Sequence, residues 1–142
     1  MVEKIDFVVV IALEDDHLWL VEQYRHPVGE RSLELPQGAW EHEPHADPAA
    51  VARGELEEET GLRAASVEPL GRLAQAIGYS TQGMYVFLAT GLEPGEPSLD
   101  HEEQGLTARR VRVDEFERMA RTGVVTDATS IAAYGMLLLR ER

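Results

Sequence analysis

Four glutamates, Glu55, Glu57, Glu58 and Glu59, crowd one short segment of the sequence. If the segment is helical, Glu58 and Glu59 lie within about 60° on either side of Glu55, so these three carboxylates share one face. Like charges one helical turn apart repel each other, whereas converging carboxylate oxygens suit a hard divalent cation such as Mg²⁺ or Mn²⁺. A solvated glutamate-rich face without a ligand is the alternative. The chemistry indicated is binding of a divalent cation and, through it, of phosphate.

The signals that flank the glutamates predict where this helix begins and ends. Asp47 is a suitable N-cap, Pro48 suits the first turn, and Gly61 is a natural C-terminal stop. Arg53 and Glu57 form an i,i+4 pair on a different face. We therefore predict a helix between these boundaries that presents its remaining carboxylates on one side.

Extended segments and two further helices surround the glutamate helix. Apolar and alternating runs predict strands at 5–13, 17–24, 32–35, 67–77, 84–92 and 106–113. Helices are predicted at 114–123 and from 127 to the end, the last with a buried stripe of Ile131, Tyr134, Leu137 and Leu138. This order favours an α/β (α+β) fold with a mixed β-sheet between helices, and we expect a single domain over 1–142.

Composition excludes several classes of function. The chain has 142 residues, 44% of them hydrophobic, no cysteine and a formal net charge of −13. Without cysteine there is no disulfide, thiolate metal site or thiol nucleophile, which suits the reducing cytoplasm where we expect the protein. The negative charge argues against a nucleic-acid partner, and we expect no signal peptide and no membrane span. A phosphate-bearing ligand therefore needs a metal ion or local arginines.

Gly38 and the segment Gly54–Leu62 resemble the Nudix box, G-x5-E-x7-R-E-U-x-E-E-x-G-U, in which U is a bulky aliphatic residue. The surrounding sequence is similar to the ADP-ribose pyrophosphatase branch of that family. The similar segments are Val21–Arg25, Leu33–Gly38, Val86–Thr90 and Gly123–Ser130. This resemblance implies the Nudix fold and hydrolysis of a nucleoside diphosphate linked to another moiety with Mg²⁺ or Mn²⁺. ADP-ribose or a related nucleotide sugar is the first candidate substrate.

The resemblance also implies a ligand set for the metal. Glu55, Glu58 and Glu59 correspond to the metal-binding glutamates of the box, and we count Glu58 and Glu59 among the catalytic residues as well. A main-chain carbonyl of Gln37 or Gly38 would complete the coordination sphere. Such oxygen ligands suit an ion that neutralises pyrophosphate and activates water.

Further roles follow from the resemblance outside the box. A catalytic glutamate is expected in the acidic loop downstream, and we choose Glu103 over Glu102 because Glu103 lies nearer the next strand. Arg25 is the expected contact to the diphosphate, since an arginine can hold two phosphate oxygens. Glu34 is expected to organise the substrate-binding loop. The aromatic residues that could stack on a base, or simply pack in loops, are Tyr79 and Trp40.

The sequence departs from the box at three points. The spacing from the box glycine to the helix is two residues longer, the first box glutamate falls at Ala46, and the box arginine falls at Gly54, with Arg53 one step out of place. In the family this arginine helps to orient a helix carboxylate. The departures therefore concern the geometry of Glu55 or Glu58.

Alternative functions remain open at the level of the sequence. One is a pyrophosphatase for other nucleotides, such as dinucleoside polyphosphates or nucleoside triphosphates. Another is a Nudix-fold nucleotide-binding or regulatory module with weakened catalysis, which the departures at Ala46 and Gly54 motivate. The branch also implies a possible homodimer.

Overall fold

Seven strands and three helices are found in residues 1–100 and 103–140, the part of the chain that the computed structural model describes. The strands are β1 (Phe7–Glu14), β2 (His17–Arg25), β3 (Glu30–Glu34), β4 (Gln37–Gly38), β5 (Arg63–Ala74), β6 (Gly83–Glu93) and β7 (Thr107–Arg112). The helices are α1 (Pro48–Thr60), α2 (Val113–Arg121) and α3 (Ala128–Arg140). Within these described ranges, no helix is long and apolar enough to cross a membrane.

β1 is the central strand of a mixed sheet. It runs parallel to β6 and antiparallel to β2. The strand order is β3-β2-β1-β6-β5, with β4 paired to β1 and β7 paired to β2. Residues 8–12 of β1 are all buried, as expected of a strand that is covered on both faces.

Alternate residues of β1 face two different core layers, because successive side chains of a strand point to opposite faces. Val8, Val10 and Ala12 pack with the apolar residues of α1. Val9 and Ile11 pack with the apolar residues of α2 and α3. The sheet therefore lies between α1 on one face and the other two helices on the opposite face, which confirms the predicted architecture.

Helix α1 ends where the sequence predicts. Gly61 has a φ of 80° and its N–H donates to the Glu57 carbonyl over 2.8 Å, a left-handed C-cap that favours glycine. The predicted Arg53–Glu57 ion pair is absent from the described residues. Arg53 Nη1 instead donates to the Ala64 carbonyl over 2.6 Å, which ties α1 to the start of β5.

The buried stripe of α3 is narrower than predicted. Tyr134 and Leu137 are buried as expected, and Ala133 joins them. The prediction was wrong for Ile131 and Leu138, which are 42% and 49% exposed. At 100° per residue these two side chains lie about 90–110° from the centre of the stripe, so they point away from the sheet.

Candidate active site

Two buried glutamates of α1 lie close to a third glutamate, which belongs to a loop much further along the chain. Glu55 and Glu59 lie one turn apart and are only 6% and 3% exposed. Glu103 lies in the turn that precedes β7. A carboxylate oxygen from each lies within 4.8 Å of the other two. We call Glu55, Glu59 and Glu103 the carboxylate cluster.

Glu58 lies beside the carboxylate cluster but does not join it. Its pKa is raised by partial burial and then by the negative charges of Glu103 and Asp100. Its main-chain carbonyl accepts a hydrogen bond of 2.8 Å from the Ser98 N–H. The sequence predicts that three helix glutamates converge, and the structure brings the loop residue Glu103 to Glu55 and Glu59. Metal binding by Glu58 stays a prediction. Glu102, the other candidate in this loop, lies outside the described residues.

Burial and mutual repulsion shift the acidity of the cluster. Burial, followed by the charges of Glu58 and Glu103, raises the pKa of Glu55 to about 8. Burial, a hydrogen bond with Glu103, and the charges of Glu103 and Glu55 raise the pKa of Glu59 to about 10. Opposing this, the Gln37 N–H donates to Glu59 Oε1 over 3.2 Å. The cluster therefore holds protons at neutral pH unless a cation offsets its charge.

The strand β4 holds the two helix carboxylates in place. Besides the hydrogen bond from Gln37 to Glu59, a Cβ on residue 38 would lie 2.5 Å from Glu55 Oε2. Only glycine allows this approach, which is a physical reason for Gly38. Both residues therefore lie at the cluster, while ligation of a metal by their carbonyls stays a prediction.

The half-buried Arg25 and the buried Glu34 form an ion pair next to the cluster. Arg25 Nε and Nη2 donate to the two Glu34 oxygens over 2.8 and 2.7 Å, and Glu34 is 3% exposed. Arg25 also lines the cavity of about 620 Å³ into which Glu55, Glu59 and Glu103 open. The contact of Arg25 with a diphosphate and the role of Glu34 in organising its loop both stay predictions.

A second cavity, of about 690 Å³, adjoins the first. Both cavities are lined by Arg25, Gln37 and Gly38. Tyr79 lines neither of them, and it is 66% exposed in the connection between β5 and β6. The fold therefore does not bring Tyr79 to the cluster, and base stacking by this ring remains a prediction.

The N-terminus of α3 supports the site, a role that sequence reasoning missed. Gln37 Nε2 donates to Asp127 Oδ2 over 2.9 Å, and the Ser130 hydroxyl donates to the same oxygen over 2.6 Å. The Leu35 N–H donates to Ser130 Oγ over 2.8 Å. The available signal was an Asp three residues before a Ser at a helix start, a capping pattern. This network fixes the segment that carries Gln37.

The model of the NUDIX domain matches residues 3–134 of this chain, which covers the sheet, α1 and both cavities. The chain belongs to the Nudix family. It is 37% identical over 136 residues to the ADP-ribose pyrophosphatase of Mycobacterium tuberculosis, covering 93% of this chain and 64% of that protein. It is 31% identical over 137 residues to the methanol dehydrogenase activator of Bacillus methanolicus, covering 94% and 72%.

Other relatives agree with the Nudix assignment. The ADP-ribose pyrophosphatase of Bacillus subtilis is 28% identical over 136 residues, with 94% of this chain and 72% of that protein covered. A solved structure described as ADP compounds hydrolase superposes with a TM-score of 0.81 at 25% identity, covering 96% of this chain and 71% of the other. This chain thus spans between about three fifths and three quarters of these relatives' lengths.

The donor set of the carboxylate cluster fits the divalent metal that Nudix hydrolases use. All three side chains offer oxygen, the ligand type that hard divalent cations prefer. The ion pairs found in residues 1–100 and 103–140 include none with Glu55, Glu59 or Glu103. Among these residues, no Lys, Arg or His side chain therefore has to be displaced from the cluster for a cation to bind.

Proposed function

We propose that this Nudix protein hydrolyses a nucleoside diphosphate linked to another moiety, with ADP-ribose or a related nucleotide sugar as the first candidate. The observation that carries the proposal is the buried carboxylate cluster, with oxygens within 4.8 Å of one another at the wall of a cavity. Two relatives named ADP-ribose pyrophosphatase support the choice of substrate. The adjoining cavities suit a substrate with a group on each side of its diphosphate.

In this proposal Glu55, Glu59 and Glu103 hold Mg²⁺ or Mn²⁺, with a carbonyl of Gln37 or Gly38 as a further ligand. Held there, such an ion would supply charge neutralisation for the diphosphate oxygens and a lower pKa for the attacking water. The acidic surface of the protein would otherwise repel such a substrate, since the formal net charge is −13.

In this proposal Glu58 accepts a proton and Arg25 binds a phosphate oxygen. Water attacks a phosphorus of the diphosphate, the P–O bond to the leaving phosphate breaks, and the water proton passes to a carboxylate. Glu58 suits this step because it lies beside the cluster without joining it and burial raises its pKa. Arg25 uses Nε and Nη2 for Glu34, and a guanidinium carries further donors on Nη1 for a phosphate oxygen.

A product-resolved substrate screen tests the function. The purified chain is incubated with ADP-ribose, other nucleotide sugars, dinucleoside polyphosphates and nucleoside triphosphates, each with Mg²⁺, Mn²⁺ or EDTA. We expect ADP-ribose to yield AMP and ribose 5-phosphate with metal and nothing with EDTA. Faster turnover of dinucleoside polyphosphates or triphosphates would instead select the alternative pyrophosphatase.

A regulatory or nucleotide-binding module is the second candidate function. The observations that favour it are Ala46 and Gly54 at box positions of Glu and Arg, and a 31% identical relative that is named an activator. Binding of nucleotide sugars by calorimetry, without products at saturating Mg²⁺ and Mn²⁺, would support this module and contradict hydrolysis.

Location and partners are proposed on more general grounds. We propose a cytoplasmic location, which the absence of cysteine suits, and no nucleic-acid partner, which the charge of −13 disfavours. We also propose a homodimer, supported by the exposed apolar side chains Ile131, Leu138 and Leu139 on α3. Light scattering at micromolar concentration tests the dimer, and a monomer mass would contradict it.

A further inference from the structure

The glycine at position 54 stands inside α1, where glycine is a poor helix former and where the Nudix box has arginine. A Cβ at this position would overlap Cζ2 of the Trp40 indole, and two more indole carbons would lie 3.1 Å from it. The ring therefore rests directly on the helix backbone. Glycine is the residue type that leaves room for this contact.

The indole continues a series of contacts that the chain makes along α1. The Gln37 N–H reaches Glu59, Gly38 lies against the Glu55 carboxylate, and Trp40 covers Gly54. Successive residues of the segment thus meet α1 progressively nearer its N-terminus. Residues 37 and 38 contact the two buried carboxylates, and the indole of Trp40 anchors the other end of this segment on α1.

Packing holds the indole at this position. Trp40 packs against the core cluster that contains Val51 and Ala52 of α1, and it stacks on His42 with ring centroids 5.9 Å apart. Its indole nitrogen is buried and has no hydrogen-bond partner among the described residues. Shape, rather than a polar contact, therefore fixes the ring, so phenylalanine can replace much of its function.

The neighbouring arginine does not substitute for the missing box arginine. Arg53 Nη1 donates to the Ala64 carbonyl over 2.6 Å, on the side of α1 that faces the start of β5. It therefore makes no contribution to the hold on Glu55 that the series of contacts provides.

We propose that Trp40 is a positioning residue: its indole, seated on Gly54, fixes the segment 37–40 against α1 and thereby sets Glu55 and Glu59 for the metal. The inference rests on the proposed metal-dependent function. It explains the glycine, since the indole occupies the position from which an arginine side chain would leave the helix.

A double-mutant cycle with Mn²⁺ alone as the probe tests this proposal. Mn²⁺ affinity is measured by electron paramagnetic resonance for Gly54→Ala, Trp40→Ala and the double variant. Loss of a group that orients metal ligands typically lowers metal affinity about 10- to 100-fold. We expect each single variant to bind Mn²⁺ about tenfold more weakly than the wild type. The double variant should bind Mn²⁺ no more weakly than Trp40→Ala, because the methyl group of alanine at position 54 then enters the space that the indole has left.

Matched controls separate positioning from folding. Gly135→Ala adds a Cβ inside α3 with nothing within 4 Å of it, so Mn²⁺ affinity should equal that of the wild type. Trp40→Phe should retain most of the affinity, and Trp19→Phe, on β2, should leave it unchanged. Thermal unfolding in EDTA checks that Gly54→Ala and the other variants stay folded at the temperature of the Mn²⁺ measurement.

Several results would overturn the proposal. They are unchanged Mn²⁺ affinity in folded Gly54→Ala, strictly additive losses in the double variant, or equal losses in Gly135→Ala. If Trp40→Ala does not fold, the Mn²⁺ affinities of Gly54→Ala and Trp40→Phe still test the proposal. Because Mn²⁺ binding is measured without substrate, a wild type that binds Mn²⁺ and hydrolyses nothing contradicts the proposed reaction only.

Discussion

Two buried glutamates, Glu34 and Glu59, have the same exposure of 3% but opposite surroundings. Glu34 receives two hydrogen bonds from the Arg25 guanidinium. Glu59 faces two other carboxylates and receives one main-chain N–H. The fold therefore supplies a counter-charge for one buried carboxylate and leaves the other to a cation from solution.

The free energy of burying an unpaired negative charge explains why this difference identifies the site. A buried carboxylate without a partner is strongly unfavourable, and such a group either becomes protonated or binds a cation. Both glutamates are tied to the same stretch of chain, because the N–H that reaches Glu59 belongs to Gln37, three residues after Glu34. Under the proposed function, Glu34 thus serves stability and Glu59 serves metal binding.

The largest expected effect is on catalysis by Glu59→Gln. Loss of a metal ligand should reduce metal-dependent hydrolysis about a thousandfold, or about 4 kcal/mol. The metal-free fold should lose no stability, because Glu59 is already protonated at neutral pH. Hydrolysis rates and urea unfolding in EDTA measure the two quantities.

Glu34→Gln is the counterpart in this experiment. It removes the charge that faces Arg25, so the free energy of unfolding should fall by about 1.5–3 kcal/mol, the typical value of hydrogen bonds to charged groups. If the two variants instead lost the same amount of stability, the contrast between the two carboxylates would be wrong.

The pH dependence of stability should be the next largest effect. In the metal-free protein the pKa values of about 8 for Glu55 and about 10 for Glu59 lie above the ordinary value of 4.5. The folded state then binds more protons than the unfolded state, so this contribution is complete below about pH 4.5 and is lost as the pH rises toward 8–10. We expect a loss of about 2.6 kcal/mol between pH 6 and 7 in EDTA, measured by urea unfolding.

Saturating Mg²⁺ provides the control for this pH profile. A bound cation replaces the protons, so the decline between pH 6 and 7 should be smaller than in EDTA. Glu59→Gln should also flatten the decline in EDTA. Superimposable profiles with and without Mg²⁺ would show that the cluster does not take the cation.

Arg25→Ala should have a smaller effect on stability. It leaves Glu34 buried without its partner, which we expect to cost about 2 kcal/mol, below the 3–5 kcal/mol of fully buried pairs because Arg25 is half-buried. The matched control is Arg31→Ala on β3, which removes an exposed pair with Glu22 and should cost about 0.5 kcal/mol. Equal losses in urea unfolding would contradict the distinction.

The smallest effect concerns Asp6, a partly exposed carboxylate that also has an arginine partner. Hydrogen bonds from Arg72, over 2.9 and 3.0 Å, lower its pKa. Its contribution is therefore present above the ordinary value of 3.8 and is lost as the pH falls through the lower folded value. Asp6→Asn should cost about 0.5 kcal/mol at pH 7, and the difference from wild type should shrink at pH 2–3 in urea unfolding.

Local signals predicted most of the fold. The boundaries of α1 follow from Asp47, Pro48 and Gly61, and the structure confirms them. Strand limits were less accurate, and β5 begins at Arg63 rather than at residue 67. The short β4 was missed because two residues carry no periodicity, and its pairing with β1 is a long-range contact.

The site was only partly predictable. Helical spacing places Glu55 and Glu59 together, and this pairing is found. The same spacing cannot decide between Glu58 and Glu103, because a loop residue from a distant part of the chain competes for the position. Asp127 and Ser130 were not predicted as supports, since their partners Gln37 and Leu35 are more than 80 residues away in the chain.

By itself the sequence determined the family, the glutamate helix and the chemical type of its ligands, because helix caps, 3.6-residue periodicity and side-chain chemistry act locally. Only the tertiary structure decided which carboxylates remain without an arginine, that the Trp40 indole lies on Gly54, and where Glu103 lies. These features depend on burial and on contacts between segments distant in the chain, and such contacts exist only once the sheet has brought α1, β4 and the loop before β7 together.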